Sequence, residues 1–108
     1  MEDITEMLKG ILEGLVMEII SHHQTYGYEI TKVLNDYGFD DIVEGTVYTV
    51  LIRLERDNLV TIEKIKSDKG PARKMYSLNK EGKLALKQFW KKYQFINNNI
   101  TKIKENLL

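Results

Sequence analysis

Cysteine is absent from this 108-residue chain, proline occurs once, histidine occurs twice, and there is no long apolar run. Without cysteine the chain has no disulfide framework, no thiolate nucleophile and no cysteine-ligated metal. No apolar stretch approaches the roughly 20 residues that a membrane-spanning helix needs, and the N-terminus lacks the basic-then-apolar order of a signal peptide. We therefore expect one soluble, cytoplasmic domain with no membrane partner.

The net charge is zero, which at first argues against a nucleic-acid partner, but the charges are distributed unevenly. Residues 1–60 contain four Lys and Arg against twelve Asp and Glu, a balance of −8, whereas residues 61–108 contain twelve against four, a balance of +8. Seven of these basic residues lie between Lys64 and Lys83. Because charge acts locally at physiological salt, such a basic strip can bind phosphate even on a neutral protein.

The segment Gly45–Val60 has the pattern around which we interpret the rest of the chain. Four aliphatic residues at i, i+3, i+4 and i+7 predict an apolar stripe on a helix: Val47, Val50, Leu51 and Leu54. The other side carries two short hydroxyl side chains and two guanidiniums: Thr46, Thr49, Arg53 and Arg56. Small hydroxyls permit close approach to a surface, and arginine donates to phosphates or guanine edges. An ordinary amphipathic helix explains the stripe equally well, so the flanking segments have to distinguish it from a helix that binds nucleic acid.

Apolar residues from Ile4 to Ile20 recur at the spacing of one helical face over four turns, which predicts a continuous first helix. Gly10 and Gly14 lie on its other faces. Because glycine costs helix stability, we expect another helix to approach closely at these positions.

A second helix is predicted between a cap at Thr25 and a stop at Gly38. Its buried side is predicted to contain Ile30, Val33, Leu34 and Tyr37. Ile42 and Val43 are predicted to form a brief strand before the helix of the Gly45–Val60 segment. This order of two helices and a short connection is typical of a helix-turn-helix.

The basic strip is predicted to form a β-hairpin. Leu59–Lys66 is rich in β-branched residues, Ser67–Ala72 has turn composition, and Arg73–Leu78 returns with Tyr76 and Leu78 on one face. A helix followed at once by a basic hairpin is how a winged helix-turn-helix presents its recognition helix. The predicted fold class is therefore mainly α (α+β), a winged helix-turn-helix with a β-hairpin wing and a long C-terminal dimerisation helix.

Asn79 is predicted to cap this last helix, which runs from about Lys80 to about Asn106. Spacings that alternate between three and four form a heptad seam: Leu86, Phe89, Tyr93, Ile96, Ile100, Ile103 and Leu107. At about 1.5 Å per residue the helix spans roughly 40 Å, too long to be buried against so small a domain. We expect it to pair with a second copy of itself, because a solvated tail would leave a large apolar patch exposed.

Four blocks of the sequence, taken in this order and spacing, resemble the PadR family of bacterial transcriptional regulators. They are Tyr26-Gly27-Tyr28-Glu29-Ile30, Gly45-Thr46-Val47-Tyr48, the run from Arg53 to Val60, and the run from Gly70 to Gly82. The short C-terminal helix resembles that of the small subgroup of the family. The chain departs from the family pattern at Thr49, where a proline is usual, and at Ala72, where an arginine is common.

The resemblance implies a homodimer that represses genes from a palindromic operator in double-stranded DNA and is released by a small ligand. It divides the chain into a DNA-binding domain, residues 1–79, whose first helix also joins the dimer interface, and a dimerisation helix, residues 80–108. Nine residues are expected to contact DNA: Tyr26, Thr46, Tyr48, Thr49, Arg53, Lys66, Lys69, Arg73 and Lys74. Arg53 is the expected strong donor, whereas Arg56 is expected to be occupied by Glu55 or Asp57.

Some small members of the family bind a hydrophobic or aromatic effector at the dimer centre, which the resemblance implies here as well. Six residues are candidates for such a pocket: Leu8, Leu12, Leu15, Phe89, Trp90 and Tyr93. The alternative is that these side chains only fill the dimer core. We favour this alternative slightly, because aromatic residues at helical spacing mostly pack.

Three other functions are weighed against this one. A winged-helix module that binds protein instead of DNA fits the acidic first half but not the basic hairpin. Glu18 and His22 are four residues apart, as in a metal-responsive repressor, but two ligands are too few for a closed metal site. An enzyme is the least supported class, because the two histidines are adjacent and no glycine-rich phosphate loop follows a strand. We expect neither a cofactor nor a metal.

Overall fold

The computed structural model describes residues 4–67 and 70–107 of the chain. Its elements are α1 (Thr5–Leu8), α2 (Leu12–His22), α3 (Gly27–Asp36), α4 (Glu44–Arg56), β1 (Val60–Ser67), β2 (Gly70–Leu78) and α5 (Lys80–Asn106). The two strands form one antiparallel sheet. The order of helices, hairpin and long final helix confirms the predicted fold class, a winged helix-turn-helix.

The core lies where α2, α3 and α4 meet and is covered on one side by the hairpin. Each of the three helices contributes fully buried aliphatic side chains, namely Val16, Ile30, Val47, Leu51 and Leu54. Tyr76 and Leu78 of β2 are also buried, which confirms the predicted inner face of that strand. Burial of apolar surface of this kind supplies the main favourable term in folding, about 25 cal/mol per Å².

The apolar stripe predicted for α4 is confirmed, since all four of its residues are buried. The helix ends where Asn58 adopts a left-handed backbone conformation, φ 61°, which asparagine tolerates better than most residues. The Leu59 N–H then donates to the Leu54 carbonyl at 3.0 Å and closes the last turn. The chain enters β1 directly from this turn, so the recognition helix and the wing are held in a fixed relation.

The continuous first helix predicted from Ile4 to Ile20 is wrong. The chain forms no helix at Lys9–Ile11, and the backbone departs from helical geometry at Ile11, which has φ −121° and ψ −6°. Gly10, a poor helix former, lies in the middle of this break. The turn lets both Leu8 and Leu12 reach the core. The spacing of apolar residues continues through the turn, so this spacing alone does not indicate that the chain changes direction there.

Two details of the second helix are also corrected. Thr25 does not cap α3; its backbone pairs with Tyr76 of β2, and its side chain is fully buried. Tyr37 does not lie on the buried side, since it is 81% exposed where the helix ends before Gly38, which has φ +103°. Ile42 and Val43 form no strand; Ile42 is buried as a single side chain in a loop, and Val43 precedes α4.

The hairpin is longer than predicted, because Gly70, Pro71 and Ala72 belong to β2 and not to the turn. The register pairs Ile62 with Tyr76 and Ile65 with Arg73, and it shifts between Ile65 and Ser67. The buried end of the hairpin therefore packs on the helices, and its exposed end projects away from them as the wing.

The bounds and the cap of the last helix are confirmed. The Asn79 side chain accepts a hydrogen bond from the Gly82 N–H at 2.8 Å, and α5 ends at Asn106. Its first turns pack on the domain, where a Cβ on Gly82 would lie 2.1 Å from the Leu59 carbonyl oxygen. Beyond Trp90 the seam residues are exposed in the single chain: Tyr93, Ile96, Ile100, Ile103 and Leu107. Among residues 4–67 and 70–107, no helix is both long and apolar enough to cross a lipid bilayer.

Candidate nucleic-acid interface

Helix α4 has one solvent-facing side that lies between two recesses. The wing groove, formed by the starts of α3 and α4 and by β2, is lined by Tyr26, Tyr28, Glu44, Tyr48, Gly70, Pro71, Ala72, Arg73 and Lys74. The α2 recess, on the other flank, is lined by Lys9, Leu12, Glu13, Thr46, Thr49, Val50 and Arg53. The structure thus divides seven of the predicted DNA-contacting residues into two groups, one on each side of the recognition helix.

The wing groove is held together by a stacked arrangement of side chains. The Arg73 guanidinium carbon lies 4.0 Å from the centroid of the Tyr26 ring, within the range of a cation–π contact. Tyr26 in turn stacks near Tyr28, with ring centroids 6.4 Å apart and an interplanar angle of 17°. This contact orients the wing arginine towards the beginning of α3 and leaves its N–H groups available to an anion.

Gly27 belongs to this site, although the sequence analysis gave it no role of its own. A Cβ on Gly27 would lie 2.9–3.2 Å from atoms of the Tyr48 ring, so the ring packs directly against the backbone of α3. Tyr48 remains 42% exposed. The glycine between two tyrosines was the available signal, because a residue without a side chain is needed where a ring approaches the backbone.

Acidic groups modulate the charge of the wing groove. The pKa of Glu29 is lowered, first because its carboxylate accepts a hydrogen bond from the Thr25 hydroxyl, then because His23 contacts it, with a smaller contribution from the charge of Arg73. Lys74 Nζ lies 4.0 Å from Glu55 Oε1, a long ion pair between the wing and α4. The wing groove therefore contains two cations: Lys74, which faces the Glu55 carboxylate, and Arg73, which is held by the Tyr26 ring.

In the α2 recess, Arg53 is paired. Its Nη1 donates to Glu13 Oε2 at 3.3 Å, and the two side chains are 43% and 29% exposed, respectively. The Thr49 hydroxyl donates to the Gly45 carbonyl within α4 at 3.0 Å. Arg56 Nε donates to Asp57 Oδ1 at 3.2 Å, which confirms the expectation that this arginine is occupied.

The outward side of α4 differs from the one that was predicted. Thr46 and Arg53 are only half exposed and lean towards α2. The residues opposite the buried stripe, at spacings of four, three and four, are Gly45, Thr49, Ile52 and Arg56. Ile52, 65% exposed, was missed. Counting 100° per residue from the centre of the apolar stripe would have identified it.

The structure gives the position of only some of the other lysines of the wing. Lys66 of β1 is exposed. Lys69 lies outside the described residues. Lys64 pairs across the strands with Lys74, so two like charges stand opposite each other in the wing. Such a pair costs stability unless a counter-charge is near, and Glu55, 4.0 Å from Lys74, supplies one.

The six predicted effector residues are not all brought together. Phe89, Trp90 and Tyr93 form a chain of edge-to-face contacts, with centroid distances of 5.1 and 5.6 Å. Phe89 packs against Gly14, where a Cβ would lie 2.2 Å from a ring atom, so the predicted close approach is confirmed at this glycine but not at Gly10. Leu8 and Leu12 lie in the core, and Leu15 lines a cleft between α2 and α3 together with residues such as Ile19 and Val33.

Glu18 connects the aromatic chain to the end of α2. Its Oε1 accepts a hydrogen bond from the Trp90 Nε1–H at 2.8 Å, and its Oε2 lies 2.8 Å from His22 Nε2. Among the described residues, no group of three His, Cys, Asp or Glu side chains is arranged to hold a metal ion. Glu18 thus joins α2 to α5 through Trp90 and contacts His22 within α2, which is a structural explanation for the spacing of Glu18 and His22.

Comparisons with known proteins agree on one family. The model of the transcriptional regulator PadR-like family matches residues 16–88, more than half of the chain. A PadR-like transcriptional regulator from Bacillus cereus is 33% identical, with 94% of this chain and 98% of that one covered and a TM-score of 0.80. A Streptococcus transcriptional regulator is 39% identical, with 91% and 96% covered and a TM-score of 0.80. A PadR family regulator from Eggerthella lenta is 27% identical, with 95% and 89% covered and a TM-score of 0.86.

Proposed function

This chain belongs to the PadR-like family of transcriptional regulators, and we propose that it acts in the cytoplasm as a homodimeric, ligand-responsive repressor of a palindromic operator. The observation that carries the proposal is the Arg73–Tyr26 contact beside the exposed start of α4. It puts a cation, a tyrosine ring and a helix N-terminus at one groove, which is a combination suited to a phosphate backbone.

The proposed contacts follow the two recesses. Thr49, and Thr46 at its edge, lie nearest the bases, because short side chains let α4 enter the major groove closely. The wing groove binds phosphate through Tyr26, Tyr48, Arg73 and Lys74, and Lys66 and Lys69 contact the flanking backbone. Arg53 serves as a donor from the α2 recess. Phosphate contacts fix the position of the protein, and the residues of α4 supply sequence preference.

The dimer is proposed from the distal half of α5. Its exposed seam contains Ile96, Ile100, Ile103 and Leu107, which is more apolar surface than a solvated helix usually displays. Of the predicted seam, Leu86 is already buried within the single chain and Phe89 packs against Gly14. Pairing two such helices through the rest of the seam, Tyr93, Ile96, Ile100, Ile103 and Leu107, buries this surface. The first helical region joins the interface. Two copies of α4 are then presented to successive major grooves, about 34 Å apart in B-DNA.

Control by a small hydrophobic ligand is proposed at the aromatic chain of α5. Tyr93 is 41% exposed in the single chain and contacts Trp90 edge to face, so a planar compound has a ring surface on which to stack. The chain has a single tryptophan, so its fluorescence reports this place alone. Quenching by a panel of planar hydrophobic compounds, with release of DNA at the same concentrations, tests the assignment. If these aromatic side chains only fill the dimer core, no compound quenches the fluorescence or releases DNA, and the proposed ligand control is contradicted.

The DNA-binding proposal is tested by selection from a library of random duplexes with the purified chain. We expect enrichment of an inverted repeat, and we expect the affinity for it to fall steeply with salt. The Tyr48→Ala variant is expected to bind the selected duplex weakly while its dimer persists. A chain that enriches no duplex sequence contradicts the proposal and favours a winged-helix module that binds protein.

A further inference from the structure

Arg53 and Glu13 form an ion pair that joins the recognition helix to α2 across 40 positions of sequence. Glu13 lies in the first turn of α2, and Arg53 lies in the last turn of α4. Each charge is therefore on the helix end whose dipole favours it. The pair lies in the recess that also contains Thr46 and Thr49, beside the side of α4 that faces solvent.

The pair is more than an ordinary surface contact. Glu13 retains 29% exposure and Arg53 43%, so both charges are partly removed from water, and the attraction between them is less screened than at a fully exposed site. The exposed pair Lys32–Asp36 is separated by one helical turn and restrains no second element, and the pair that joins Lys74 to Glu55 is longer, 4.0 Å, and more exposed. Glu13, in contrast, fixes the direction of a side chain on a different helix.

The carboxylate changes what Arg53 offers to DNA. A free guanidinium attracts any phosphate, and this attraction contributes equally to all sequences. A guanidinium paired with a carboxylate has little net charge, but only one of its five N–H donors points to Glu13 in this structure. The remaining donors retain their directional preference for acceptors such as the O6 and N7 atoms of guanine.

We propose that Glu13 is a specificity-determining residue that positions Arg53 for base recognition and suppresses its attraction to phosphate. The inference rests on the proposed DNA-binding function and adds to it a residue of α2 that lies outside the recognition helix and the wing. Glu13 has no direct contact with DNA in this account. It acts through Arg53, and its removal changes the preference of the protein among sequences more than its ability to bind DNA.

The test compares Glu13→Gln with the full-length wild-type chain on two duplexes: the one selected from the random library and a scrambled duplex of equal composition. Glu13→Gln removes the charge while keeping the shape of the side chain. We expect tighter binding to the scrambled duplex, a salt dependence steeper by roughly 0.9 in logarithmic slope, and a specificity ratio reduced roughly tenfold. The ratio of the two affinities is insensitive to a loss of folded protein, because both affinities fall together.

Asp36→Asn is the matched control. Like Glu13→Gln, it raises the net charge of the chain by one by removing a carboxylate from an ion pair, here the exposed pair with Lys32 on α3. It is expected to leave the specificity ratio unchanged. Arg53→Lys is the second variant: it keeps the charge but lacks the guanidinium fork, so it is expected to lower the ratio with little change in binding to the scrambled duplex. In the double variant Glu13→Gln, Arg53→Lys the two losses are expected not to add, because both act on one contact.

The possible results distinguish a failure of the DNA-binding proposal from a failure of the role of Glu13. A wild-type chain that shows no preference between the duplexes overturns the DNA-binding proposal and this inference together. A clear wild-type preference with an unchanged ratio in Glu13→Gln, or an equal loss in Asp36→Asn, overturns the role of Glu13 alone. A reduced ratio in Glu13→Gln and Arg53→Lys, but not in Asp36→Asn, supports it.

Discussion

The guanidinium of Arg73 lies over the ring of Tyr26, with 4.0 Å between the guanidinium carbon and the ring centroid. Arg73 belongs to β2 and Tyr26 immediately precedes α3, so this contact connects the wing to the beginning of the helix-turn-helix. The isolated contact is worth about 0.5–1 kcal/mol at an exposed position. Its larger effect is to hold a cation of the wing in one orientation at the wing groove.

The Arg73→Ala variant is expected to lose about tenfold in affinity for the selected duplex, the effect of one charge-assisted hydrogen bond. The logarithmic salt slope is expected to decrease by about one, because one phosphate contact is removed. Fluorescence anisotropy over a range of salt concentrations measures both quantities. Lys102→Ala, which removes a charge from the distal part of α5, is the control. Equal effects of the two variants would mean that only net charge matters and would contradict the placement of Arg73.

Gly14→Ala is expected to lower the free energy of unfolding by about 1–3 kcal/mol, because an added Cβ would lie 2.2 Å from the Phe89 ring and overpack the α2–α5 contact. Urea denaturation measures this change. Gly10→Ala is the matched control, since no atom lies within 4 Å of its Cβ position, and it is expected to be neutral or slightly stabilising. Similar losses in both variants would contradict the close packing of α5 on α2.

Glu29 is expected to contribute to stability in a pH-dependent way. Its pKa is lowered in the folded state by the Thr25 hydroxyl first and by His23 second, so its contribution is present above the unfolded pKa and is lost as pH falls through the folded one. Between roughly pH 5 and pH 3 the free energy of unfolding should fall less in Glu29→Gln than in the wild type. Because the carboxylate is half exposed, the difference is expected to remain below about 1 kcal/mol.

Thr25→Val tests the cause of the Glu29 effect, because it removes the hydroxyl that donates to the carboxylate. Urea denaturation at a series of pH values should show a shallower acid dependence in this variant, and a smaller further change when Glu29→Gln is added, because His23 still contacts the carboxylate. Acid profiles identical to that of the wild type in both single variants would contradict the assignment.

The seam of α5 is tested by Ile100→Lys, which places a charge at an exposed apolar position in the middle of the proposed interface. We expect the variant to sediment as a monomer at concentrations where the wild type is a dimer, and to bind the selected duplex more weakly. Asn98→Lys adds the same charge on the opposite side of the helix and is expected to remain dimeric. A monomeric wild type, or dimers of all three proteins, would contradict the proposed interface.

The sequence predicted α4, the hairpin and α5 well because each depends on local information. The buried stripe of α4 repeats within one helix, and the cap at Asn79 involves a residue only three positions away. The break at Lys9–Ile11 was not predictable in the same way, since periodicity persists through it. Its position depends on how α1 and α2 are each directed into the core.

The sequence predicted which residues belong to the site better than it predicted how these residues contact one another. Tyr26, Tyr48, Arg73 and Lys74 do line one groove, because the hairpin returns beside the start of α3. The pairing of Arg53 with Glu13 links residues 40 positions apart, and the packing of Tyr48 on Gly27 joins two helices. Contacts of this kind depend on the relative placement of elements, which no local pattern specifies.

The spacing of half-sites tests the central claim most directly, namely that two chains present their recognition helices one duplex turn apart. Affinity is measured for a series of duplexes in which the two halves of the selected inverted repeat are separated by different numbers of base pairs. We predict a maximum near 10 base pairs between half-site centres and a marked loss when about five are inserted, since one half-site then faces away. Equal affinity at all spacings, with one chain bound per duplex, would contradict the account.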